Sequence, residues 1–113
     1  MRYLMLVCGD EDLELTPEER RALDQRAAAW VEEMTARGVR VDGNRLARAD
    51  TATTVRVRNG EMLVSDGPFA ETKEQVGGYD LLECADLDEA LEVAGQHPVA
   101  EIGTLELRPL HVP

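Results

Sequence analysis

Lysine is nearly missing from this 113-residue chain: Lys73 is the only one, against eleven arginines. Aromatic residues are scarce too, with one tryptophan, one phenylalanine and two tyrosines. Two cysteines, Cys8 and Cys84, are too few for a disulfide framework or a four-cysteine zinc site. Both follow apolar, strand-like runs and have carboxylates nearby in sequence, which would raise a thiol's pKa, so they are read as small buried hydrophobes. No long apolar run is present. Tyr3 to Cys8, the longest near the start, falls short of the roughly 7–15 residues of a signal peptide's apolar region and the roughly 20 of a membrane helix. A cytoplasmic protein that binds no membrane is therefore expected.

What is present is acid. Twenty-three acidic side chains against twelve basic ones give a formal charge of −11. No basic patch offers itself to phosphates, so nucleic acid is not an expected partner, and an anionic membrane surface is disfavoured equally. Apolar residues make up 43% of the chain, enough for one domain over residues 1–113 with a modest core.

Arg2 to Cys8 is apolar at odd and even positions alike, which predicts a central strand buried on both faces. Thr16-Pro17-Glu18-Glu19 is a helix start: a capping threonine, proline at the first helical position and glutamate three residues after the cap. Leu23, Ala27, Trp30, Val31 and Met34 then trace one apolar stripe, and Gly38 stops the helix. A short strand is expected over Arg45 to Ala49. A hairpin follows, Thr53 to Arg58 and Glu61 to Ser65, about an Asn59-Gly60 turn of type I′. Its register should pair Arg58 with Glu61, Val57 with Met62 and Val55 with Val64. Gly78 to Cys84 reads as a further strand. A second helix opens at Asp86 with Glu89 as capping partner, and Gly95 and Pro98 end it. Gly103 to Leu110 is the last strand. Two helices cover one face of such a sheet, while several strands are apolar on both, so a second copy is the expected cover and a symmetric homodimer the expected assembly.

Between two strands, Ser65 to Tyr79 concentrates the only phenylalanine, the only lysine and several acids and glycines. Asp66-Gly67-Pro68 is turn chemistry, but a turn does not require Phe69 followed by Glu71-Thr72-Lys73-Glu74. Loops on a rigid sheet are where binding residues collect. Phe69, Thr72, Lys73 and Glu74 are therefore candidate ligand-binding residues, the alternative being a structural loop in which Phe69 plugs the core edge. Arg108, on the polar side of the last strand, is a candidate bidentate partner for a carboxylate. His97 is the one interior histidine. It is a candidate acid or base with Asp66 or Glu74 to orient it, or else a cation completing a helix C-terminus. No metal-ligand spacing, nucleotide-binding glycine motif or nucleophile elbow occurs, so no metal and no cofactor is expected.

The runs Thr51 to Arg58, Asp66 to Gln75 and Gly77 to Tyr79 resemble the bacterial DGPF-domain proteins, in the YCII-related group of the dimeric α+β barrel superfamily. Ala85 to Ala90, His97-Pro98 and Leu107 to Leu110 fit the same resemblance. It implies an α+β ferredoxin-like sandwich, an antiparallel sheet with two helices on one face, dimerised through the sheets as a dimeric α+β barrel. It also implies association with extracytoplasmic-function sigma-factor systems. It implies no single activity: the expectation is a small-molecule-binding or regulatory homodimer. The alternative is a cofactor-independent isomerase, lyase or dehydrochlorinase-like enzyme. Relatives tend to place an active-site histidine on the first helix, and this chain has none there.

Overall fold

The computed structural model describes Met1–Pro113. Strand β1 (Arg2–Gly9) leads through a loop to helix α1 (Pro17–Ala36), then β2 (Arg40–Arg45), the hairpin β3 (Thr53–Arg58) and β4 (Glu61–Asp66), β5 (Gln75–Glu83), helix α2 (Leu87–Gly95) and β6 (Thr104–Pro109). Four strands form an antiparallel sheet in the order β2-β5-β1-β6. With the hairpin set aside, this is the strand order of a ferredoxin-like sandwich, β1 and β5 being central.

The caps form where the sequence predicts. The Thr16 hydroxyl accepts from the Glu19 amide while the Glu19 carboxylate accepts from the Thr16 amide. Asp86 caps α2 by accepting from the Glu89 amide, but the expected reciprocal half of the box does not form: the Glu89 carboxylate accepts from the Ala85 amide, one residue earlier. The β3–β4 register is the expected one, through Val55↔Val64, Val57↔Met62 and Arg58↔Glu61. Asn59 and Gly60 both hold positive φ, as their turn requires.

The core lies on the helix-covered face. Tyr3 and Met5 of β1 and Leu82 and Cys84 of β5 meet Trp30 and Met34 of α1 and Ala90, Val93 and Ala94 of α2. Trp30 is core, its indole N–H satisfied by the Val93 carbonyl at 2.9 Å. The α1 stripe divides along its length: Trp30 and Met34 are buried, whereas Leu23 and Ala27 line an open cleft.

Three sequence expectations need correction. The second strand is Arg40–Arg45 and not Arg45 to Ala49, where a single 3₁₀ turn (Ala49–Thr51) forms. Arg40-Val41-Asp42-Gly43-Asn44-Arg45 carries turn residues and little apolar pattern. It is a strand because it pairs with β5 at the sheet edge, across a bulge between Arg40 and Asp42. Next, β5 starts at Gln75, three residues early, because pairing with β1 resumes past a bulge at Gly77, through Val76↔Cys8 and Gln75↔Gly9. Finally, Phe69 plugs no core edge: it is 82% exposed.

The hairpin stands apart as its own two-stranded sheet. The chain's radius of gyration tells the same story: 16.1 Å, against about 13 Å for a compact chain of this length. The hairpin's apolar face, Val55, Val57, Met62 and Val64, is 55–66% exposed. The second face of the main sheet, with Leu4, Leu6 and Leu81, is only half-buried. No helix is long and apolar enough to cross a membrane.

Candidate functional site

Two clefts of similar size flank the loop after β1. The apolar one, about 360 Å3, lies between the side of α1 that carries Arg20 to Val31, the ends of β1 and β5, strand β2 and the turn after α2. The polar one, about 380 Å3, lies between that loop and the segment that follows β4.

His97 borders the apolar cleft and is 7% exposed. Local sequence places it there. α2 ends at Gly95, the His97 amide donates to the Ala94 carbonyl, and Pro98 starts a 3₁₀ turn over Pro98–Glu101. His97 caps that turn, its Nδ1 accepting from the Val99 amide at 3.1 Å. An accepting Nδ1 puts the proton of the neutral ring on Nε2. The ring packs edge-on against Trp30, centroids 4.8 Å apart. Burial pushes the His97 pKa below its ordinary 6.5, and the nearby Asp80 carboxylate opposes part of that shift. His97 is thus a neutral acceptor rather than the cation at a helix C-terminus that the sequence also allowed.

Asp80, inward-facing on β5 between Gly78 and Leu82, is buried to 6% exposure. Its carboxylate Oδ1 accepts from Arg40 Nε at 2.6 Å, and both side chains are shielded, 8% and 17% exposed. Gly43 sits opposite Asp80 across the β2–β5 ladder. A Cβ at Gly43 would lie 2.6 Å from Arg40 Nη2, from Asp80 Oδ1 and from the Tyr79 carbonyl oxygen. The glycine is the space in which the ion pair forms. Three residues, Arg40, Asp80 and His97, therefore bring a hydrogen-bonded charge pair and a neutral imidazole to one apolar cleft.

The other candidates fall elsewhere. Asp66, at the end of β4, lines the polar cleft with Lys73 and Thr72 and does not share the cleft of His97. The Thr72 hydroxyl donates to the Glu74 carbonyl. The Glu74 carboxylate accepts from the Thr104 hydroxyl at 2.7 Å. Arg108 pairs with Glu106 at 2.6 Å. Its register partner is Leu4, whose neighbours Tyr3 and Met5 point into the core, so Arg108 stands on the sheet face turned away from the His97 cleft. Lys73 makes no ion pair. The polar cleft brings Asp66, Thr72 and Lys73 together; His97 and Arg108 lie elsewhere, and Phe69, exposed to solvent beside Pro68, does not line it.

Nothing in the local pattern singles out Arg40 or Asp80. The available signal was parity: Asp80 is a lone carboxylate on the inward side of a strand whose neighbours on that side are Gly78, Leu82 and Cys84. Both thiols are held above their usual pKa, chiefly by burial, with Glu106 and Glu74 adding to Cys8 and Glu89 to Cys84, which suits packing rather than nucleophilic work. No group of three or more His, Cys, Asp or Glu side chains is disposed to hold a metal.

Fold and site together define an α+β sandwich with a lateral cleft at the open end of its helix layer. The family model for the YCII-related domain matches residues 1–112, and the chain belongs to that family. It is 50% identical over 68 residues to an uncharacterized protein of Rhizobium meliloti (strain 1021), covering 58% of this chain and 55% of that one. The chain thus spans about half the length of this curated relative.

Proposed function

We propose that this chain is a small-molecule-binding, regulatory protein of the cytoplasm that works as a homodimer, with the His97 cleft as its ligand site. The observation that carries this reading is the joining, in one apolar cleft, of a neutral buried His97 with the Arg40–Asp80 pair. An apolar cavity with few, convergent polar groups is what ligand sites have in common. The dimer draws support from the half-buried second sheet face and the exposed apolar face of the hairpin, which a second copy would cover. The Asp66-Gly67-Pro68-Phe69 motif fits the DGPF branch of the family, whose members suggest a sigma-factor system as partner.

The test is an amide ¹H–¹⁵N titration with a library of small organic fragments, run beside light scattering at micromolar concentration. Shifts gathered at Cys8, Gly78, Val99 and Gly103, on a particle of twice the chain mass, support the proposal. Shifts confined to Glu71–Gln75 would move the site to the polar cleft, and a monomer would remove the dimer.

One observation favours a catalytic alternative, a cofactor-independent isomerase, lyase or dehydrochlorinase. With Nδ1 accepting from the Val99 amide and its pKa lowered by burial, neutral His97 carries its proton on Nε2, a donor able to polarise a substrate carbonyl and so acidify the adjoining carbon. This alternative predicts deuterium exchange from solvent into a carbon-acid fragment, lost in His97→Asn. Binding without exchange would leave the chain a binding protein.

A further inference from the structure

Four of the eleven arginines, Arg20, Arg40, Arg45 and Arg48, line the His97 cleft of a protein whose net charge is −11. Four carboxylates line it as well, so the count of charges balances. The commitments do not. Asp80 is held by Arg40 at 2.6 Å and Asp24 faces Arg45 at 3.5 Å. Asp10 accepts from the Asp12 amide and Glu11 from the Ala49 amide, each at 2.9 Å. Every carboxylate of the cleft thus already has a donor.

The arginines are less fully used. Arg20 has neither an ion-pair nor a side-chain hydrogen-bond partner. Arg48 donates to the Glu11 carbonyl at 3.4 Å and meets Asp12 and Asp50 only at 3.8 Å, with all three side chains well exposed, a geometry that holds little in water. An amide donor does not neutralise Asp10 or Glu11, so the cleft as a whole has no net charge. Its one charged side chain without any protein partner is the Arg20 guanidinium, a single cation in an acidic protein, which suits one negative charge and disfavours a polyanion.

The apolar part of the wall is laid out from the same end. Arg20, Leu23, Ala27 and Val31 of α1 all line the cleft, at spacings of three, four and four that keep them on one side of the helix. They lead from Arg20 to Val31, next in the chain to Trp30, the residue that packs on His97.

We propose that the ligand is an organic monoanion: a carboxylate on an apolar body, its carboxylate held by Arg20 and its body lying along Leu23, Ala27 and Val31 towards His97. The fork of a guanidinium matches a carboxylate in geometry as well as charge. This rests on the reading of the cleft as a ligand site and adds the chemical class of the ligand.

The experiment titrates the full chain with three probes of one shape, phenylacetate, phenylacetamide and phenethylamine, followed at the amides of Cys8, Val99 and Gly103. Phenylacetate should bind about tenfold more tightly than phenylacetamide, with phenethylamine weaker still. Arg20→Gln should remove that preference while Lys73→Ala retains it. Equal binding of acid and amide at those same amides, or tighter binding of the amine, overturns the anion assignment and leaves the ligand site standing. A preference that survives Arg20→Gln overturns the role of Arg20. No shift at those amides with any probe at millimolar concentration overturns this inference and the ligand site together.

Discussion

The two clefts differ far more in what lines them than in size. The polar one is built by the most conspicuous stretch of sequence, Asp66 to Gln75, yet only one of its lining residues is apolar and Lys73 and Glu71 stand open to solvent. The other draws on residues that look ordinary in sequence, an arginine on an edge strand and an aspartate in mid-strand, and eleven of its lining residues are apolar. Water screens charges in the first and is largely kept from Arg40, Asp80 and His97 in the second. A distinctive motif marks a family, but a shielded pair of charges marks where the protein has spent stability, and the two need not coincide.

The comparison breaks most sharply at Asp80. Asp80→Ala leaves the shielded Arg40 guanidinium without its partner, and urea unfolding should show a loss of about 3 kcal/mol or more. A loss no greater than that of a surface substitution would mean that water reaches the pair freely, and the contrast between the clefts would collapse. Gly43→Ala is next, at about 1–3 kcal/mol, because its methyl group enters the space of the pair. Here the finer readout is the cleft itself: the amides of Tyr79 and Asp80 should shift while those of Glu71–Gln75 stay in place. Lys73→Ala is the smallest, within about 0.5 kcal/mol of the parent by thermal unfolding. A larger cost would show that the polar cleft also holds structure together.

How much of this was legible depended on the range of the interaction. The capping box at Thr16, the Asp86 cap of α2, the Asn59-Gly60 turn and the hairpin register are decided within a few residues, and the sequence states them directly. β2 was not legible because its residues prefer a turn and are held extended by pairing with β5. Asp80 and Arg40 meet across 40 positions of chain, and His97 joins their cleft only because α2 ends where it does. Sequence could nominate His97, since it is the single interior histidine. It offered Asp66 or Glu74 as the carboxylate beside it and passed over Asp80, because that choice is made by which strand lies under the helices.

His97 ties the account together, and its titration carries a definite sign. With its pKa lowered by burial, the folded state takes up a proton less readily than the unfolded chain, so stability should be full above about pH 6.5 and decline as the pH falls below it through the folded pKa. The most direct measurement is therefore the imidazole ¹⁵N titration of His97, with and without phenylacetate. A pKa below 6.5, an Nε2–H tautomer and resonances that move when the probe binds are the predicted results. A His97 that titrates at or above 6.5 and ignores the probe would contradict the claim that this cleft is the protein's working site.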